Sequence, residues 1–228
     1  MIKSDNISDN KKHTTDPIYK SDNRNATATP HARLENRKLR LAILGAGGIA
    51  RKMAETVNQM EDVELYAVAS RTEEKARQFA DTYHASKWYG SYEEMVADDG
   101  IDLVYVATPH SHHKEHTMLC LNYNRAVLCE KAFAVNTKEA EDMIRLAKEK
   151  NILLAEAMWV RYMPMSFTLK EIIDSDVIGK ITGLTANLGY SLMQVERLIR
   201  PELAGGALLD LAPYTLNFAT WVLGDNVS

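Results

Sequence analysis

The chain has 228 residues, of which 46% are hydrophobic and 25% charged, with a formal net charge of −4 at pH 7. That balance suits a soluble globular protein with one large or two small domains. It offers no basic face for a nucleic-acid backbone, and no apolar run approaches the ~20 residues a bilayer span requires.

Residues 1–37 are rich in Asn, Asp, Lys, Ser and Thr, with scattered apolar residues and no helix or strand period. They are read as a disordered tail, too polar to offset their ordering entropy, and without an export signal. From Lys38 the pattern alternates. Leu39–Leu44 is an apolar strand followed by the glycine turn Gly45-Ala46-Gly47-Gly48-Ile49-Ala50 and a helix to Met60. Val63–Ala69 is a second strand, and Thr72–Tyr83 a helix with Glu73 and Glu74 in its first turn, where the dipole favours acids. Lys87–Tyr89 is a short strand, and Ser91-Tyr92-Glu93-Glu94 reads as a capping box. Ile101–Val106 is a strongly β-branched strand, His113–Asn122 a helix and Ala126–Cys129 a fifth strand. Thr137–Lys150 carries Ala140, Met143, Ile144 and Ala147 at helical spacing, and Ile152–Ala155 closes the series. Strands separated by helices at this rhythm pair in parallel through right-handed crossovers, so 38–157 is expected to be a doubly wound Rossmann domain.

The pattern then changes near Met158. A helix from Pro164 to about Ser175, a strand-like run Ile181–Leu188, a Gly205-Gly206 turn and a long apolar helix through Trp221 are expected. Residues 158–228 are read as the start of an α+β substrate and dimerisation domain. Cys120 and Cys129 lie in apolar surroundings, as reduced, buried thiols of a cytoplasmic protein do.

The glycine turn reads G-x-G-x-x-A between a buried strand and a helix, the order a dinucleotide site needs. Gly45 permits the turn, Gly47 lets backbone N–H groups approach a phosphate, and Ala50 is small enough for helix to pack on strand; Gly48 and Ile49 complete the elbow. Where NAD-binding folds usually carry an acid at the end of the second strand, this chain has Ser70 and Arg71. Ser70 can donate to a 2′-phosphate and Arg71 can pair with it, which favours NADP over NAD.

Ligands of such sheets bind at the carboxyl ends of the strands. There the chain places Thr108-Pro109-His110, Glu130-Lys131 and the segment Glu156–Arg161. The histidine-rich run from His110 to His116 invites a metal, but no Cys or carboxylate completes a ligand set, so none is assigned. A histidine at a helix start after a strand fits ribose or substrate better.

The pieces GAGGIA, ATPH, CEKAF, AEAMWVRYMP and GGALLDLAPY, in this order, resemble the glucose–fructose oxidoreductase, inositol dehydrogenase and dihydrodiol dehydrogenase family (Gfo/Idh/MocA-type oxidoreductases). The resemblance runs from about Lys38 to the end of the chain. It implies an NADP-dependent hydride transfer at the carbinol of a sugar, polyol or cyclic diol, in a homo-oligomer when full length. It identifies Lys131 with the family's active-site lysine, Asp210 and Tyr214 with the acid and the Tyr-or-His of the substrate helix, and Trp159 and Arg161 with the Trp-x-Arg segment near the cofactor. Tyr214 is then the base, Lys131 lowers its pKa and binds the developing carbonyl, and Asp210 orients a substrate hydroxyl. Helical spacing independently puts Asp210 and Tyr214 on one face. Two departures stand out. Ala132 replaces the proline that gives many members a cis peptide, and the chain stops short of the family's usual length, leaving most of the second domain's sheet absent. The competing reading is a nucleotide-binding regulatory protein that has lost its chemistry.

Overall fold

The computed structural model describes residues 37–224. Most of the expected tail lies outside the described residues, but Arg37 belongs to the folded body, where its guanidinium grips Asp102 at 2.6 and 2.7 Å.

Six strands form one parallel sheet in the order β3-β2-β1-β4-β5-β6. They are β1 (Leu39–Leu44), β2 (Val63–Ala69), β3 (Lys87–Tyr89), β4 (Leu103–Val106), β5 (Ala126–Cys129) and β6 (Leu154–Glu156). The alternation of side chains along β1 shows why both faces are apolar. Leu41 and Ile43 pack against α1 (Gly48–Val57) and α2 (Glu73–Tyr83) through Ala50, Ala54, Val57 and Phe79. Ala42 and Leu44 face the other layer, built from α3 (Tyr92–Ala97), α4 (His113–Asn122) and α5 (Thr137–Lys150) through Met95, Val96, Leu121 and Met143. A parallel sheet needs helices on both faces, and the two apolar sets of every strand supply them. This is the expected Rossmann architecture. Cys120 and Cys129 are free and buried within it.

The starts and stops follow local chemistry. Ser91 caps α3 by accepting from the Glu94 N–H at 3.3 Å, and Asn136 caps α5 by accepting from Glu139. Thr72 sits at the N-cap of α2 but its side chain makes no capping bond. Of the apolar residues at helical spacing in α5, Met143 and Ala147 are buried, whereas Ile144 is exposed. Ile101 and Ile152 lie outside β4 and β6, each in the turn before its strand.

After Glu156 no strand joins the sheet among the described residues. A 3₁₀ turn (Trp159–Tyr162) leads into α6 (Pro164–Asp174), followed by an irregular stretch, the short α7 (Glu196–Ile199), a second 3₁₀ turn (Pro201–Leu203), α8 (Ala207–Asp210) and α9 (Ala212–Leu223). Two expectations are corrected here. Ile181–Leu188 is irregular and not a strand: it has no ladder partner among the described residues, and a strand exists only through the ladder a neighbour provides. The expected long helix is broken at Leu211, two residues before Pro213, which occupies the first turn of α9. No helix among the described residues is long and apolar enough to cross a membrane.

Candidate active site

The carboxyl ends of β1, β4, β5 and β6 face a cleft of about 530 Å³. One wall is the glycine elbow. Gly45 has φ +104°, a conformation open to glycine, and its N–H donates to Ala69 O at 3.0 Å. A Cβ there would lie 2.8 Å from Thr108 Cγ2, so the turn is also closed by contact with the β4 loop. Helix α1 begins at Gly48 with Gly47 as N-cap and no side-chain cap. Its first N–H groups and positive dipole end are therefore free to receive an anion. Beside Gly48 a Cβ would meet nothing within 4 Å, which leaves open the space a pyrophosphate needs. Gly47, Gly48 and Ile49 line the cleft, whereas Ala50 is fully buried against the sheet.

Thr108, Pro109 and His110 line the cleft from β4. His110 is buried, its Nδ1 is 3.1 Å from Ala204 O, and burial lowers its pKa. Glu130 and Lys131 arrive from β5. Glu130 is braced: Tyr105 donates to one carboxylate oxygen and the Lys131 N–H donates to the other at 3.2 Å. Burial nevertheless pushes its carboxyl pKa up. The Lys131–Ala132 peptide is cis although residue 132 is not proline.

Lys131 Nζ donates to Asp210 Oδ1 and to Asp210 O, both at 2.8 Å. Arg197 donates to the same Oδ1 through both terminal nitrogens at 3.2 Å. Burial opposes ionisation of Asp210, yet the two cations outweigh it and hold its carboxyl below the ordinary value. Lys131 Nζ also stands 5.1 Å from the ring centroid of Tyr214, over its face. The Tyr214 hydroxyl accepts from Trp159 Nε1 at 3.2 Å. Helix α8 and the first turn of α9 thus bring Asp210 and Tyr214 onto Lys131, with Trp159 across from them.

Not every candidate converges. Ser70 is buried at the end of β2, next to the residue that anchors Gly45, and Arg71 is exposed at the start of α2; neither lines this cleft. Arg161 is directed away, donating from Nε to Asn217 Oδ1 at 2.9 Å. Asp210 differs from its expected part as well. With Oδ1 taken by Lys131 and Arg197 and the side chain 6% exposed, it serves Lys131 more directly than it serves a ligand. The sequence reading missed Lys52, Tyr190, Leu192, Val195, Arg197 and Leu198 of the lining. No motif marks them. Gly205 was read as a turn residue; a Cβ there would lie 2.6 Å from Leu198 O, so the turn seats α7 and with it Arg197. Among the described residues no three His, Cys, Asp or Glu side chains come together as a metal site.

An open, glycine-lined helix end beside a parallel sheet, with charged residues at the strand ends, is the arrangement of a Rossmann fold of the dinucleotide-binding kind. The chain belongs to the Gfo/Idh/MocA oxidoreductase family. Residues 39–158 match the family described as "Oxidoreductase family, NAD-binding Rossmann fold", and residues 167–228 match the GFO/IDH/MocA C-terminal domain. It is 41% identical to D-xylose 1-dehydrogenase (NADP(+)) of Hypocrea jecorina, over 81% of this chain and 52% of that protein. It is 36% identical to trans-1,2-dihydrobenzene-1,2-diol dehydrogenase of Mus musculus, over 82% of this chain and 56% of the other. Among solved structures it is similar to KijD10, a 3-ketoreductase from Actinomadura kijaniata in complex with NADP and TDP-benzene. The TM-score there is 0.75 and the identity 26%, over 82% of this chain and 58% of that one. The chain spans about half the length of the curated relatives it matches.

Proposed function

We propose that this chain is the cofactor-binding domain (38–157) and the beginning of the substrate domain (158–228) of an NADP-dependent oxidoreductase. Its substrate is a small sugar, polyol or cyclic diol, oxidised or formed at one carbinol. The observation that carries this reading is the meeting of Lys131, Tyr214 and Asp210 in one cleft whose opposite wall is an uncapped, glycine-lined helix end.

Gly47, Gly48 and Ile49 would hold the pyrophosphate, Ser70 and Arg71 the adenosine ribose, and Thr108, Pro109, His110, Glu130 and Trp159 the nicotinamide end. NADP is favoured because Ser70 and Arg71 follow β2 where NAD-binding folds usually carry an acid, and the relatives named above include an NADP(+) enzyme and a structure holding NADP. The bound nicotinamide supplies or accepts the hydride. Tyr214, its oxygen held by Trp159, takes the hydroxyl proton of the substrate as the tyrosinate in oxidation and returns it as the phenol in reduction. Lys131, an ammonium over the Tyr214 ring, stabilises negative charge at the tyrosine and at the carbinol oxygen. Asp210 keeps that ammonium in place and shares its charge with Arg197. The apolar side chains exposed on α6 and α9, Phe167, Ile172, Leu216 and Phe218 among them, are surface that the rest of such a domain or a second subunit would cover.

The test is fluorescence titration with NADPH and NADH, followed by assay of nicotinamide absorbance against aldoses, inositols and cyclic diols. Tighter binding of NADPH with turnover of one of these classes is expected. Binding without turnover of any would favour the regulatory reading, and absence of binding would overturn both.

A further inference from the structure

His113 opens α4 and is 0% exposed, yet it carries no role in the reading above. Its ring spans the two loops that meet at the centre of the cleft. Nδ1 lies 2.7 Å from Ala132 O, directly after Lys131, and Nε2 lies 2.8 Å from Thr108 O. Carbonyl oxygens only accept, so each contact is a hydrogen bond only where that nitrogen carries a proton. Burial pulls the ring's pKa down to about 4, against the pull of the two carbonyls, so near neutrality it holds one proton for two acceptors.

The two carbonyls are not equally in need. Thr108 is partly exposed on the cleft wall, and its loop has other anchors: the hydroxyl is 2.9 Å from His116 Nδ1 and the methyl abuts Gly45. Neither carbonyl has another donor among the described residues, but Ala132 is 5% exposed and its carbonyl is the one shut off from water. Leaving a buried carbonyl unpaired is the costlier choice.

We propose that His113 is a positioning residue: its Nδ1–H donates to Ala132 O and fixes the bend that presents Lys131 to the substrate carbinol. It rests on the proposed role of Lys131 and adds the residue that aims it. The neighbouring Lys131 and Phe133 N–H groups are held by Glu130 and Glu156, so the His113 bond completes a three-point clamp on the three consecutive residues Lys131, Ala132 and Phe133.

Two measurements test it. In the ¹⁵N-labelled native chain, long-range ¹H–¹⁵N correlations of the His113 ring should show the Nδ1–H tautomer; the Nε2–H tautomer would overturn the proposal without reference to activity. In kinetics, His113→Asn places an amide N–H near the Nδ1 position and His113→Gln places one near Nε2. Asn should keep kcat within about threefold while Gln loses about 10- to 100-fold, the penalty of a misplaced catalytic group, with the NADPH Kd unchanged in both. Equal losses, or the larger loss in Asn, refute it. A wild-type chain without turnover would instead count against the proposed function, and the tautomer would then decide the His113 bond by itself.

Discussion

Replacing Asp210 by Asn tests the arrangement at its most buried charge. The Lys131 and Asp210 side chains are 11% and 6% exposed and 2.8 Å apart. At an effective dielectric of about 20, that separation corresponds to a gross attraction of ~6 kcal/mol, largely offset by desolvation when both charges are present. The Asn variant keeps an acceptor but removes the negative charge, so Lys131 is left as a buried cation. Arg197, with its side chain 43% exposed, is better screened and suffers less. Breaking one side of such a pair costs about 3–5 kcal/mol, and retention of the acceptor puts Asp210→Asn at the lower end. For a folded body of this size, ~3 kcal/mol corresponds to a fall in Tm of about 6–12 °C. Calorimetry of wild type, Asp210→Asn, Lys131→Met and the double variant closes a cycle. The double variant should be more stable than Asp210→Asn alone. A drop in Tm below about 2 °C, or a coupling below about 0.5 kcal/mol, would show that the two charges do not depend on each other and would refute the reasoning.

The other expectations concern the tyrosine, the glycine elbow and pH. Tyr214→Phe should lower kcat by about 10²–10⁴ while leaving the NADPH Kd within about threefold; unchanged turnover removes Tyr214 as the base. Gly45→Ala forces φ +104° on a residue with a Cβ 2.8 Å from Thr108, and should cost about 1–3 kcal/mol in chemical denaturation. Gly48→Ala meets no atom and should leave stability equal or up to about 1 kcal/mol higher, yet weaken NADPH binding, because its Cβ enters the space left for phosphate. The same outcome for both alanines would disprove the distinction. His113 has its pKa lowered from 6.5 to about 4 on folding, so the unfolded chain binds the extra proton first. Its contribution is therefore complete above about pH 6.5 and lost as pH falls toward 4, a difference of ~3 kcal/mol. The stability gap between wild type and His113→Asn should narrow by about that amount over this window, with His110 and His116 common to both proteins; a gap that stays flat contradicts the burial argument.

Much of this protein is legible in one dimension. Each strand of the Rossmann domain carries apolar residues in both of its alternating sets, a local property that only a sheet covered on two faces can satisfy, and two of the helices between them, α3 and α5, carry their own side-chain caps. The elbow from Gly45 to Ala50 is likewise local: three small residues and a helix start, all within one turn of chain. The resemblance to family motifs points to Lys131, just after β5, and to Asp210 and Tyr214, on either side of the break between α8 and α9.

Tertiary structure decided the partnerships. That Asp210 is claimed by Lys131 and Arg197, that Trp159 holds the Tyr214 hydroxyl while Arg161 turns to Asn217, and that His113 reaches the Ala132 carbonyl depend on contacts between residues 13 to 79 positions apart. The run Ile181–Leu188 shows the same limit from the other side, since an alternating pattern becomes a strand only when a neighbour pairs with it. Propensity and periodicity act over one turn or one strand, whereas the direction of a buried charge is set by whatever the fold brings within a few ångströms.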